Sequence, residues 1–447
     1  MLGTESIPKL MLRLSLPAVA AQFINMLYNI VDRIYIGNIP EIGDMALTGV
    51  GVTFPIIMLI SAFSAFAGMG GAPLASIRMG AGDRKGAERI LGNCFTLLLC
   101  ISAVLTVVFL VFKEPLLYMF GASDNIIGYA LDYITIYLFG TLFVQMALGL
   151  NTFISAQGQA TTAMLSVLIG AIINIVLDPI LIFGFHMGVK GAALATIFSQ
   201  AVSAAWVLRF LFSKKSGIRI RRENIRLNKK VVASVAALGI APFIMLATES
   251  LVSITLNSGL QKYGGDLYVG SMTIIQSIMQ MIVMPVQGIV QGAQPIMSYN
   301  YGAQKYDRVR KTFFLLLRVT LSATVLACLA TVFFPTVFAR LFTPKAELIA
   351  LTAQVMPIFF AGIWAFGAQM ACQTTFMALG QAKTCLFLAL LRKIILLVPL
   401  ALILPLAMNN VMGIFLAEPI ADIIASVTTL VLFLAGYKKL LPSNEHS

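Results

Sequence analysis

About twelve stretches of roughly twenty or more mostly apolar residues follow one another along the 447-residue chain, from 10–37 to 412–435. A lipid-spanning helix needs about 20 such residues, and only helices or closed barrels can satisfy their backbone groups in hydrocarbon. With 59% hydrophobic and 11% charged residues, the chain has too little polar surface for a soluble domain of any size. The expected fold is therefore an all-α integral membrane protein. Its first apolar segment, 10–37, is too long for the apolar core of a cleaved signal and leads straight into further spans.

The formal net charge of +13 reflects placement in the chain and gives no reason to expect a nucleic-acid partner. With the N-terminus on the cytoplasmic side, 25 of the 31 Lys and Arg fall in inward loops; Arg33, Lys113, Lys190, Lys262, Arg340 and Lys345 fall outward. That asymmetry obeys the positive-inside rule and puts both termini in the cytoplasm. Arg392 and Lys393, near the start of the eleventh span, are expected to snorkel to the cytoplasmic surface.

The second half restates the first at a shift of 222. Gly70/Gly292, Pro73/Pro295, Gly80/Gly302, Ala81/Ala303, Phe120/Phe342 and Gly191/Gly413 all correspond, as does Gly158–Gln159–Ala160 with Gly380–Gln381–Ala382. The opening spans match at 225 (Pro17/Pro242). Each copy holds six spans, an even number, so the copies share one orientation and are related by a pseudo-twofold along the membrane normal. The expected organisation is a six-helix lobe over 1–212, a basic cytoplasmic linker over 213–230 and a second six-helix lobe over 231–447.

Ionisable residues inside apolar spans are expensive and mark ion or substrate paths by default. Asp32 and Asp178 are such residues. Asn174 lies one turn from Asp178 on the same helix face, and Thr196 falls at a similar depth on the next span. Pro179 also frees the Ile175 carbonyl from its helical donor. These oxygens suit a hard cation such as Na⁺, or a shared proton. A helix kink at Asp178–Pro179 with an Asp32–Arg33 pair is the structural alternative. The second lobe lacks this set: the shift of 222 puts Leu396 and Leu400 at the Asn174 and Asp178 positions, but Glu418 at the Thr196 position. Glu418, Asp422 and Glu249 suit either a cationic substrate, a second proton site, or an interhelical hydrogen-bond set. Gln276 and Gln280 on the eighth span can line a wet cavity.

Nothing in the chain resembles a catalytic or metal cluster. The five cysteines show no CxxC, the two histidines are isolated, and no phosphate-loop string is present. A channel would need a filter-like string or charged rings, which are also missing.

SLPAVAAQFINMLYNIVDRIYIG, the AGDRKGAER loop, NIVLDPILIFG and GAALATIFSQ, set in a 6+6 repeat, resemble the multidrug and toxic-compound extrusion (MATE) family. The resemblance covers essentially the whole chain and is nearest to its DNA-damage-inducible-type branch. It implies a secondary active antiporter in the inner (cytoplasmic) membrane. Such a protein exports cationic amphipathic small molecules in exchange for Na⁺ or H⁺ by alternating access, without a cofactor and as a monomer. It further implies that Asp32, Asn174, Asp178 and Thr196 bind the coupling cation. Another branch of the family uses second-lobe carboxylates; Glu249 fits one of its positions, but 348–374 offers no acidic partner. A lipid-linked precursor flippase of the same superfamily is the competing reading. Its anionic cargo calls for a basic cavity, where this sequence has buried acids.

Overall fold

The computed structural model describes residues 1–442. Among these, eleven helices are long and apolar enough to cross a membrane, and a twelfth span is formed by a bent pair. They are α1 (Ile7–Gly37), α2 (Gly43–Gly80), α3 (Arg84–Met119), α4 (Ile127–Phe139 with Thr141–Ala156), α5 (Ala160–Gly184) and α6 (Val189–Phe212). The second set is α7 (Lys229–Gly264), α8 (Leu267–Gly302), α9 (Tyr306–Phe333), α10 (Ala346–Ala378), α11 (Ala382–Met408) and α12 (Met412–Leu440). A short helix, Pro335–Phe342, sits between α9 and α10. The chain is a multi-span, all-helical membrane protein.

The repeat reaches into irregular detail. Gly140 divides α4 at a 59° bend, and Gly362, which is 222 residues later, ends a single 3₁₀ turn inside α10. A Cβ on Gly140 would meet Ile197 Cδ1 at 1.9 Å, and one on Gly362 would meet the Pro419 backbone at 2.8 Å. Ile197 and Pro419 are themselves 222 apart, so each copy presses the irregular point of its fourth helix against the same point of its sixth. The copies diverge in their fifth helices. α5 loosens into a π-turn at Ile180–Gly184, directly after Pro179, whereas α11 carries a π-helical stretch at Leu391–Leu397.

Helix contacts rest on small residues and hydroxyls rather than on apolar burial, which contributes little between helices already in lipid. Thr320 and Thr324 of α9 donate to Gly367 O and Trp364 O of α10 at 2.9 and 3.1 Å. Gln145 Nε2 of α4 donates to Ile60 O of α2 at 2.8 Å, and Ser203 Oγ of α6 to Ser166 O of α5 at 2.9 Å.

Two compact units result: Leu16–Leu246, and Met1–Ser15 with Ala247–Ser447. Compared with lobes bounded at 212 and 231, each unit thus keeps the opening of the other repeat's first helix. In the second unit Arg308 donates to Leu2 O and Glu5 O at 3.0 and 2.7 Å, and Ser15 Oγ to Ile289 O at 3.1 Å. In the first unit the Phe243 ring of α7 packs on Phe63 of α2 with centroids 4.8 Å apart. α7 breaks at Thr248, next to the point where the units divide.

The basic linker is docked rather than free. Ile218 and Ile220 are buried, Gln157 Oε1 accepts from Gly217 N at 2.7 Å, and Arg221 pairs with the buried Glu88 at 2.6 Å.

Candidate cation site

α5 and α6 each expose one polar face to the interior of the first unit. Asn174 and Asp178 share a face of α5 because they are four residues apart, and both are buried. Asn174 Nδ2 donates to Thr196 Oγ1 of α6 at 3.4 Å, and that hydroxyl in turn donates to Ala192 O at 3.0 Å. Asp32 of α1 is a close neighbour of Asp178. The four residues expected to assemble from three separate spans are thus brought together.

Their oxygens have few donors. Asp178 Oδ1 and Oδ2, Asn174 Oδ1 and Asp32 Oδ1 are all buried and accept no hydrogen bond. Arg33 does not pair with Asp32 among the described residues; its guanidinium lies 6.0 Å from the centre of the Phe54 ring. A buried acceptor without a donor costs about 1–3 kcal/mol, and two carboxylates side by side repel. A small cation or a proton between them would relieve both penalties.

Two tyrosines not anticipated from the sequence border the pair, and a third packs on one of them. Tyr28 of α1 neighbours both Asp32 and Asp178, and Tyr133 of α4 lies beside Asp32 with Thr196 in hydrogen-bonding reach. Tyr133 stacks on Tyr137 with ring centroids 6.2 Å apart. Their i, i+4 spacing in YALDYITIY was the available signal. A cavity with about 40 Å³ of free space adjoins Tyr28 and is walled by Asn25, Asn151, Ser166, Ser199 and Ser203.

The second unit's acids are arranged differently. Arg392 lies in the π-helical stretch of α11 and donates to Asp422 Oδ1 at 2.8 Å and Glu418 Oε1 at 3.0 Å on α12. Its guanidinium also lies 5.1 Å from the centre of the Phe366 ring. Lys393 is buried and pairs with Glu249 at the start of the second segment of α7. The expectation that Arg392 and Lys393 snorkel to the surface is therefore wrong. The π-turn re-aims both side chains inward, where carboxylates compensate the charge that lipid would not. Gln276 is half-buried and Gln280 exposed, and neither joins this network among the described residues.

The chain is thus an all-helical, duplicated membrane bundle with an acid pair buried in one unit. The MatE family profile matches residues 17–180 and 242–403, one match in each repeat, and the chain belongs to that family. It is 24% identical over 387 residues to the multidrug export protein MepA of Staphylococcus haemolyticus, covering 86% of this chain and 84% of that one. The Staphylococcus aureus (strain NCTC 8325 / PS 47) MepA is 22% identical over the same length and shares. Among solved structures, that of the MATE multidrug transporter DinF-BH is 36% identical. It has a TM-score of 0.90, with 98% of each chain covered. An outward-facing MATE family transporter has the same TM-score at 22% identity, over 99% of this chain and 98% of that one.

Proposed function

We propose that the chain is a multidrug exporter of the cytoplasmic membrane that exchanges organic cations for Na⁺ or H⁺ by alternating access, with both termini inside. Asp32, Asn174, Asp178 and Thr196 hold the coupling ion, and Tyr28 and Tyr133 border it. One observation carries this reading: among the described residues, four buried oxygens of Asp32, Asn174 and Asp178 accept no hydrogen bond. A cation or proton taken up there relieves the burial of the carboxylates, and its release and rebinding is what coupling requires. The names of the MepA and DinF-BH relatives support drug cargo. The acids at the site favour cationic cargo over the anionic head groups of a flippase.

Glu418, Asp422 and Glu249 have a different role from a bare acidic site. With Arg392 and Lys393 they make a cluster of three carboxylates and two cations, so they can attract an organic cation only weakly and chiefly organise the second unit. Efflux of an ethidium-type dye from cells, measured with and without a Na⁺ gradient and at two external pH values, tests the proposal. Dye export that ignores both gradients would refute coupled exchange.

A further inference from the structure

The two copies treat the flank of their third helix differently. At the shift of 222, Glu88, Gly92 and Asn93 of α3 correspond to Arg310, Phe314 and Leu315 of α9. In the first unit the chain itself fills that flank. Asn93 Oδ1 accepts from Asn228 N at 2.6 Å, and Glu88 Oε1 from Arg219 N at 3.3 Å. The Asn224 backbone lies so close to Gly92 that a Cβ there would meet its carbonyl oxygen at 2.5 Å. In the second unit Phe314 and Leu315 remove both the clearance and the acceptor. The flank of α9 instead borders a groove of about 600 Å³, lined by Arg308, Arg310, Lys311 and Arg318 and by the apolar Phe314 and Ile7.

Two of the four cations are engaged. Arg308 holds Leu2 O, Glu5 O and Asn300 Oδ1, and Arg310 holds Leu441 O at 2.7 Å and Asp307 Oδ1 at 3.0 Å. The acids nearby are spent as well, since Glu5 pairs with Lys9 and Arg13, and Asp307 with Arg310. Lys311 and Arg318 are exposed and form no ion pair among the described residues. Seven residues apart, they share one face of α9 about 10 Å apart along its axis. Arg318 is the last charged residue of the helix, with only apolar and hydroxyl-bearing residues after it besides Cys328, so it stands where the basic end of α9 meets its apolar stretch.

We infer that this groove binds the headgroup of an anionic phospholipid, with its phosphodiester between Lys311 and Arg318 and its acyl chains along Phe314 and Leu315. The groove joins two cations that form no ion pair among the described residues to the exposed, apolar Phe314, which fits a lipid anion and gives a soluble one nothing for that apolar side to hold. This inference is independent of the proposed transport cycle.

The test uses the full chain purified in detergent and titrated with phosphatidylglycerol, cardiolipin or phosphatidylcholine, reading retained lipid by native mass spectrometry. Wild type should retain the anionic lipids roughly tenfold over phosphatidylcholine. Lys311→Gln with Arg318→Gln should abolish that preference, and the charge-keeping exchange Lys311→Arg with Arg318→Lys should preserve it. Lys383→Gln, one exposed charge removed elsewhere, should leave it intact. Equal retention of all lipids by wild type, or an undiminished preference in the double glutamine variant, would overturn the assignment. Displacement by inorganic phosphate alone would give the groove to a soluble anion instead. A chain lacking residues 443–447 should bind as wild type does; anionic-lipid binding that appears only after that removal would assign the groove to the chain's own end.

Discussion

Asp178 has no surface exposure, and neither of its carboxylate oxygens has a donor. A residue whose side chain accepts no hydrogen bond among the described residues contributes little to holding the fold together. Asp32→Asn and Asp178→Asn should therefore abolish coupled dye efflux while leaving expression and the melting midpoint close to wild type, since Asn is nearly isosteric and carries no charge to compensate. Cells carrying Asp32→Asn with undiminished resistance to a cationic dye would refute the site. Arg392 is the opposite case, because it holds two carboxylates at once. Arg392→Met should cost about 3–5 kcal/mol by stranding Glu418 and Asp422 beside each other, read as lost expression or a much lower melting midpoint. Glu418→Gln leaves Arg392 with Asp422 and should be milder, without altering the response to Na⁺.

The helices' irregularities are where the two copies can be compared most directly. Both fourth helices are interrupted at a glycine, by a bend at Gly140 and a 3₁₀ turn ending at Gly362, but against different kinds of neighbour. The Cβ of Gly140→Ala would meet Cδ1, Cγ1 and Cγ2 of Ile197, a β-branched side chain that must move as a whole; that of Gly362→Ala would meet the backbone of Pro419, which can move only with its helix. Gly362→Ala should consequently be the more destabilising, by about 1–3 kcal/mol. Ile197→Ala added to Gly140→Ala should restore part of the smaller loss. Thermal melts of the four proteins decide it, and equal losses for the two glycines would show that the backbone contact is not what resists. The π-helical stretch of α11 matters for the same reason. By shifting the helix register it turns Arg392 and Lys393 towards α12 and α7.

For the molecule as a whole, a site that binds its ion only when folded links ion binding to stability. At a hundred times the dissociation constant the gain is about 2.7 kcal/mol. If Na⁺ is the coupling ion, the melting midpoint should rise with Na⁺ and not with K⁺ in wild type, and Asp32→Asn should lose the effect. A midpoint indifferent to Na⁺ but moving with pH would assign the coupling to protons. The exchange of opening segments between the units has its own consequence: α1 and α7 each run from one unit into the other. Separate expression of 1–212 and 231–447 should give two unstable fragments, because each lacks residues that its unit packs around. Stable, monodisperse fragments would show those segments to be dispensable.

Composition and apolar length alone determined the membrane class, because a chain this poor in charge has no soluble alternative. The duplication was equally legible, since a constant offset needs no structure to be seen. So was the candidate site: Asp32, Asn174, Asp178 and Thr196 stand out because polar groups in apolar spans are costly and few. The sequence did not reveal which acids are compensated. Glu418 and Asp32 look alike as letters, and only the packing of α11 on α12 puts a guanidinium beside one and leaves the other without a partner. Tyr28 and Tyr133 were passed over because aromatic residues are common in lipid-facing helices, so only the fold distinguishes those that face a carboxylate. The boundary between the units was likewise hidden, because it falls inside two continuous helices where hydropathy does not change.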